Sequence, residues 1–344
     1  MAQLGYAFQK ERDHYWDNVK GFLILSVVAG HLLGRYINVY DTFSWTYDLV
    51  NNYHMPLFIF VSGLFAHKAR SSPEKRAGKM LLYYVIIQTV NCAVLHLFDC
   101  STAVRLTYAV PGYTFWYLLF MVFCIMLTHA MDKVPPKIWM PVVLAVALLS
   151  GFDNSVTSTW TAARFFCFLP FFSLGYYADE QKMLQRIRSR EGRMVCIPLA
   201  IAACVFLFMI HQSFPAENFF GSTAYAVIYP EQPFYGLTSR MLFFVTAALA
   251  SLGIMAVMPK KRGLLSFIGE NTLQIYLVHG MVLEVVWEQL LAHGALSSNA
   301  KLDTIYKELI MLAAIAAACA AVIAVKYMIR RIRVRRAERR LRAE

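Results

Sequence analysis

The stretch Asp17-Asn18-Val19-Lys20-Gly21-Phe22-Leu23-Ile24-Leu25-Ser26-Val27-Val28-Ala29-Gly30-His31 carries two charges and then a lone imidazole into an apolar segment that continues to Val39. At about 1.5 Å per residue, residues 19–39 are long enough to cross the hydrocarbon of a bilayer as a helix. Lys20 and His31 are about 20° off three full turns, so they share a helix face, roughly 16 Å apart along the axis. That register predicts Lys20 at the membrane surface and His31 near the middle of the hydrocarbon. An ionisable side chain at that depth is costly and faces a cavity or a partner.

The rest of the chain has the same character. It is 58% hydrophobic and only 16% charged, whereas a soluble domain carries about 25% charged residues. Hydropathy predicts an all-α, polytopic transmembrane bundle of about ten spans, at 19–39, 53–67, 79–98, 113–131, 138–152, 162–178, 194–212, 240–258, 272–292 and 304–329. The first fifteen residues are polar and mixed in charge, and span 1 lacks a cleavage site, so it reads as an uncleaved signal-anchor. With a cytoplasmic N-terminus, the inside segments hold 27 of the 33 lysines and arginines; the outside share is Arg35, Arg105, Arg164, Arg240, Lys301 and Lys307. This bias predicts both termini inside and an even number of spans. The domain organisation expected is a membrane domain over residues 1–329 and a basic cytoplasmic tail over 330–344. The tail reads as a stop-transfer flank held to anionic lipid, so the net charge of +12 is not taken as a sign of nucleic-acid binding. The seven cysteines show neither a disulfide framework nor metal-ligand spacing. The aromatic segment 213–239, with Phe219, Phe220, Tyr225, Tyr229, Phe234 and Tyr235, is expected along the membrane interface or as a lid over a cavity.

Five segments resemble, in order and spacing, the acyltransferase 3 family of integral membrane O-acyltransferases, in particular its sugar O-acetylase-like branch. They are Asp17-x-x-Lys20-Gly21 with Gly30-His31; His54-Met55-Pro56-Leu57-Phe58 with Ser62-Gly63; Phe115-Trp116-Tyr117-Leu118; Arg164-Phe165-Phe166 with Pro170-Phe171-Phe172 and Gly175-Tyr176; and Gly269-Glu270-Asn271-Thr272-Leu273 with Tyr276 and His279. The resemblance implies transfer of an acyl group, often acetyl from acetyl-CoA, to a carbohydrate hydroxyl, and it matches His31 to the family's essential histidine. It also implies a multi-pass protein of the bacterial plasma (inner) membrane. Many relatives have arginine where this chain has Lys20. Lysine keeps the charge and can bind phosphate but loses the bidentate fork.

The residues support the same chemistry on their own terms. A sugar hydroxyl does not ionise at neutral pH, so transfer needs a base beside it, and imidazole is the side chain whose ordinary pKa suits that task. His31 is the expected general base; the competing role is an interhelical hydrogen bond. His54, Arg164 and His279 are the expected acceptor-side residues. Against that stand a cap for a proline-started helix at His54 and an arginine snorkelling to the interface at Arg164. Arg240 is a weaker candidate. Lys20, Arg76 and Lys79 are expected to bind the donor, within the basic loop that also holds Lys68, Arg70 and Lys75, because CoA carries phosphates; the positive-inside bias would place charges there anyway. Asp17 is read as a partner of Lys20 or an interfacial cap, Ser62-Gly63 as close helix packing, and His96, His129 and His211 as wet residues near span ends. The partners expected are acyl-CoA as donor substrate, a glycan or lipid-linked sugar acceptor and the bilayer, with no tightly bound cofactor, no metal and no nucleic acid. Two other function classes use the same residues: a proton-coupled transporter or flippase with the histidines as relays, which the lack of evident internal repeats disfavours, and a membrane scaffold without chemistry.

The charge partition generates a test of sidedness. After native thiols are replaced, cysteines introduced near residues 72, 134, 189 and 260 should be shielded in intact cells, and those near 102, 156, 225 and 298 should react with an impermeant thiol reagent. Labelling of 189 and 225 from the same side would break the span assignment between them.

Overall fold

Residues 14–37, 41–69, 71–102 and 105–341 are described by a computed structural model, and among them there are α-helices and short 3-10 turns but no strand. The helices are α1 (Tyr15–Leu33), α2 (Asp41–Lys68), α3 (Pro73–Leu97), α4 (Trp116–Met131), α5 (Pro136–Leu149), α6 (Ala162–Tyr177), α7 (Glu180–Arg188), α8 (Arg190–Ile210), α9 (Glu217–Phe220), α10 (Tyr225–Ile228), α11 (Phe234–Val257), α12 (Leu264–Glu270), α13 (Thr272–His293) and α14 (Ala300–Leu341). Each predicted span coincides with one of the longer helices. By length and composition alone, α2, α3, α8, α11, α13 and α14 can each cross a membrane. The others are α4, α5 and α6, which are short, and α1, whose polar residues lower its hydropathy.

Lipid is as apolar as leucine, so close packing rather than apolar burial holds such helices together. Two reciprocal glycine pairs provide it. A Cβ at Gly21 would lie 1.9 Å from the Leu265 carbonyl oxygen, and one at Gly269 would lie 1.8 Å from that of Asp17. The backbones of α1 and α12 therefore touch. In the same way Gly63 of α2 meets Phe172 and Gly175 of α6 meets Phe60, at 2.1 and 1.9 Å from the carbonyl oxygens. Around these crossings lie buried aromatic and aliphatic side chains: Phe120, Phe168, Phe172 and Phe243 where α2, α4, α6 and α11 meet, and Ile24, Leu118, Leu283 and Met311 where α1, α4, α13 and α14 meet. Large apolar side chains stay exposed along α3 (Leu82, Ile86), α8 (Met194, Ile201, Met209) and α14 (Leu309, Val325), the surfaces that lipid would cover.

Two helix boundaries depart from the hydropathy reading. The first helix begins at Tyr15 and ends at Leu33 rather than spanning 19–39. Its polar start is paired inside the protein: Tyr15 Oη donates to Met255 O at 2.7 Å, and Asn18 Nδ2 donates to Pro259 O and Lys261 O, each at 2.9 Å. At the other end Gly34 closes the helix on Gly30 O, and Arg35 turns to pair with Glu284. The second helix starts at Asp41, not near 53, so Pro56 is an interior residue and His54 does not open the helix. Hydropathy missed the first half because Asp48, Asn51, Asn52 and His54 are polar. They point into protein, as Asn52 shows by accepting a 2.8 Å hydrogen bond from Thr246 Oγ1.

The glycine crossings predict sharp intolerance. Gly63→Leu or Gly175→Leu should force α2 and α6 apart, with a loss of at least the ~1–3 kcal/mol typical of overpacking. The thermal midpoint of the detergent-solubilised protein should fall, whereas Gly78→Ala, with open space around its Cβ position, should leave it unchanged.

Candidate active site

A cavity of about 500 Å³ runs between α1, α2, α4, α6, α9 and the α12–α13 junction. One wall is a single stripe of α1: Lys20, Ile24, Val27 and His31 all line it, at the spacing that keeps residues on one helix face. The facing stripe of α2 supplies Tyr47, Asn51, His54 and Phe58. Trp116 and Tyr117 come from the start of α4, Arg164 from the first turn of α6, and Phe219 and Phe220 from the aromatic segment 213–239. That segment thus contributes two aromatic side chains to the cavity wall.

At one end Lys20 Nζ sits 2.9 Å from Asp17 Oδ1, the pairing read from the sequence, and Glu270 lines the wall nearby. His14, Asp17 and Glu270 bring ligand atoms within 4.8 Å of one another, close enough for a metal, but the Lys20 ammonium already lies against the Asp17 carboxylate. Lys326, from α14, closes the α12–α13 break: its Nζ donates to Glu270 O at 3.1 Å, Asn271 Oδ1 at 2.7 Å and Gln274 Oε1 at 3.1 Å. In water such a lysine would be dispensable. In an apolar helix its ammonium needs these three oxygens.

Further along the cavity, His31 is flanked by the Tyr113 ring, with centroids 4.8 Å apart, and by the His279 ring at 5.4 Å. His279, His54, Arg35 and Arg164 act electrostatically on His31, and Arg35 is itself paired with Glu284. His54 Nδ1 lies 2.7 Å from Val50 O. A carbonyl only accepts, so Nδ1 carries the hydrogen and Nε2 is left for other contacts. The Arg164 guanidinium stands over the Trp116 ring, 5.0 Å from its centroid.

Of the residues singled out from sequence, the cavity therefore unites Lys20, His31, His54 and Arg164. His279 is fully buried and packs behind His31 rather than in the wall. Arg76 and Lys79 lie elsewhere: Arg76 donates to the carbonyls of Ala66 and Ala69 at the end of α2, and Lys79 is exposed, over the Tyr83 ring. Arg70 lies outside the described residues. Arg240 is a structural pin, donating to Ala147 O at 3.0 Å beneath the Tyr225 ring. Ser62 shares a 2.6 Å hydrogen bond with Tyr117 Oη, in keeping with packing. Sequence reasoning missed Tyr47, Asn51, Tyr113 and Lys326. The first two repeat at helical spacing with His54, and Lys326 is a lone cation in an apolar run, so those three carried a signal; Tyr113 carried none.

A family model described as an acyltransferase domain matches residues 13–331. The nodulation protein NolL of Sinorhizobium fredii (strain NBRC 101917 / NGR234) is similar, with 25% identity over 307 residues, covering 79% of this chain and 78% of that protein. No solved structure matches.

Proposed function

We propose, from the premise that this chain belongs to the acyltransferase 3 family, that it is an integral membrane O-acyltransferase moving an acyl group, acetyl in the first instance, from acyl-CoA to a hydroxyl of a carbohydrate or lipid-linked glycan. The observation that carries this reading is the α1 stripe: a cation and an imidazole on one wall of one cavity, ~16 Å apart along the helix axis. An extended chain advances about 1.2 Å per bond. The pantetheine arm of CoA has about 13 bonds from its diphosphate to its sulfur, so it covers about 16 Å at that rate. With the diphosphate at Lys20, the thioester is then level with His31.

The chemistry asked of His31 is that of a general base. The acceptor oxygen attacks the thioester carbonyl carbon, a C–O bond forms and the C–S bond breaks. His31 takes the hydroxyl proton and returns it to the departing thiolate, so the imidazole ends as it began. His54 and Arg164 serve the acceptor side, where Arg164 can hold the developing oxyanion or a sugar oxygen. The cytoplasm supplies the donor, which fits Lys20 near the inner surface, both termini inside and a ten-span bundle in the bacterial inner membrane. The transporter reading of the same histidines has no comparable support.

Mass spectrometry of surface glycans and lipids from cells with and without the gene tests the reaction. A product heavier by one acyl group supports the proposal and identifies the acceptor, and unchanged profiles count against it. His31→Ala should insert normally and lose about 10²–10⁴-fold in rate; a well-inserted variant keeping more than about half the wild-type rate would remove the base role.

Lys20→Arg should be tolerated, because it keeps the charge that meets phosphate. Lys20→Met should raise the KM for acetyl-CoA and recover at high donor concentration. Unchanged donor dependence in Lys20→Met would take Lys20 out of the donor site.

A further inference from the structure

We infer that His279 is the positioning partner of His31: its Nε2 accepts a hydrogen bond from the His31 ring N–H and so fixes the tautomer and orientation of the base. The inference rests on the base role proposed for His31.

The protonation of His279 follows from its surroundings. Its Nδ1 lies 3.0 Å from Ile275 O and 2.9 Å from Tyr276 O. Both oxygens only accept, so Nδ1 carries the hydrogen and the neutral ring keeps a lone pair on Nε2. That Nε2 is buried and has no hydrogen-bond partner, a situation that costs free energy unless a donor comes to it. The ring beside it is His31, with centroids 5.4 Å apart and planes 29° from parallel. An N–H···N bond of about 3.0 Å, with each nitrogen about 1.2 Å from its ring centroid, spans about 5.4 Å from centroid to centroid. The rings stand stacked at a separation that leaves room for such a bond, and rotation of the His31 ring would bring its N–H onto the lone pair.

The backbone around the pair is anchored. Tyr276 Oη donates to Thr114 O at 2.5 Å. A Cβ at Gly280 would lie 3.0 Å from the Thr114 side chain, so α13 packs tightly on the segment that presents Tyr113 to the other side of His31.

Bases of this kind are usually oriented by a third group that stabilises the imidazolium when it forms. Carboxylates commonly do this, but a carboxylate in the hydrocarbon is costly, and buried Glu284 on α13 is committed to Arg35. A neutral imidazole performs the task without a net charge. When the acceptor proton arrives on the cavity-facing nitrogen of His31, the opposite N–H becomes a charge-assisted donor to His279 Nε2. The bond is therefore strongest when the base is protonated, which is when it aids the reaction.

The test uses membrane vesicles carrying the full chain, radiolabelled acetyl-CoA as donor and the vesicles' own glycolipids as acceptor, with rates taken per inserted chain. His279→Leu removes the acceptor atom, and His279→Gln restores one through its amide oxygen. His279→Leu should lower apparent kcat about 10–100-fold, within the usual range for perturbing a general base, with the KM for acetyl-CoA nearly unchanged. His279→Gln should be faster than His279→Leu. Combined with His31→Ala, His279→Leu should add no further loss, because the two residues act as a unit. Equal rates for the Gln and Leu variants, a change confined to KM, or multiplicative losses in the double variant would overturn the inference. Full activity of His31→Ala would instead remove the base reading beneath it. An inactive His31→Ala beside a fully active His279→Leu would remove only the pairing.

Discussion

The backbones of α1 and α12 touch because Gly21 and Gly269 have no Cβ to keep them apart, and the chemistry of the molecule depends on that contact. It lays the polar start of α1 against the α12–α13 junction, so that Asp17, Lys20 and Glu270 gather at one end of the cavity. It also sets the register of α1 against α13, nearly three turns further along, where His31 meets His279. Lys326 then holds the junction from outside through three oxygens. Larger side chains at either glycine would separate the helices by ångströms and carry His31 away from the α13 side chains it meets.

The second constraint is that polar groups inside the bundle must be satisfied there. Asn18 donates to two backbone carbonyls, Asn52 takes the Thr246 hydroxyl, and Arg240 caps Ala147. The Arg35–Glu284 pair lies between the Tyr113 and Trp287 rings on the arginine side. These contacts explain why the start of α1 and the first half of α2 are more polar than hydropathy expects of a span and yet are central to the fold. Helices that face lipid, such as α3, α8 and α14, show the opposite pattern, with apolar surfaces left open.

Within this frame the cavity has a polarity gradient along one helix. An ammonium with its carboxylate partner stands at one end, apolar Ile24 and Val27 form the middle, and imidazoles with a guanidinium stand at the other. The aromatic side chains of Tyr47, Tyr113, Trp116, Phe219 and Phe220 line the cavity with the histidines, and apolar walls strengthen electrostatic interactions between the groups they enclose.

What the sequence by itself determined was the all-helical membrane class, the family, and the register of Lys20 with His31, because helical periodicity is a property of one segment and needs no neighbour. It also anticipated the Asp17–Lys20 pair, which lies within a single turn. It misjudged the start of α2, since hydropathy measures affinity for lipid and the polar residues there are solvated by protein. Only the tertiary structure decided which distant residues share the cavity. Arg76 and Lys79 carry the same charge as Lys20, but their helix turns them to the carbonyls of α2 and to solvent. His279 looked like a cavity residue, but the crossing of α1 and α13 sets it behind His31. Tyr113 had no sequence signal at all. Distances between helices are fixed by which side chains are small enough to let two backbones meet, and that depends on pairs of residues far apart in the chain.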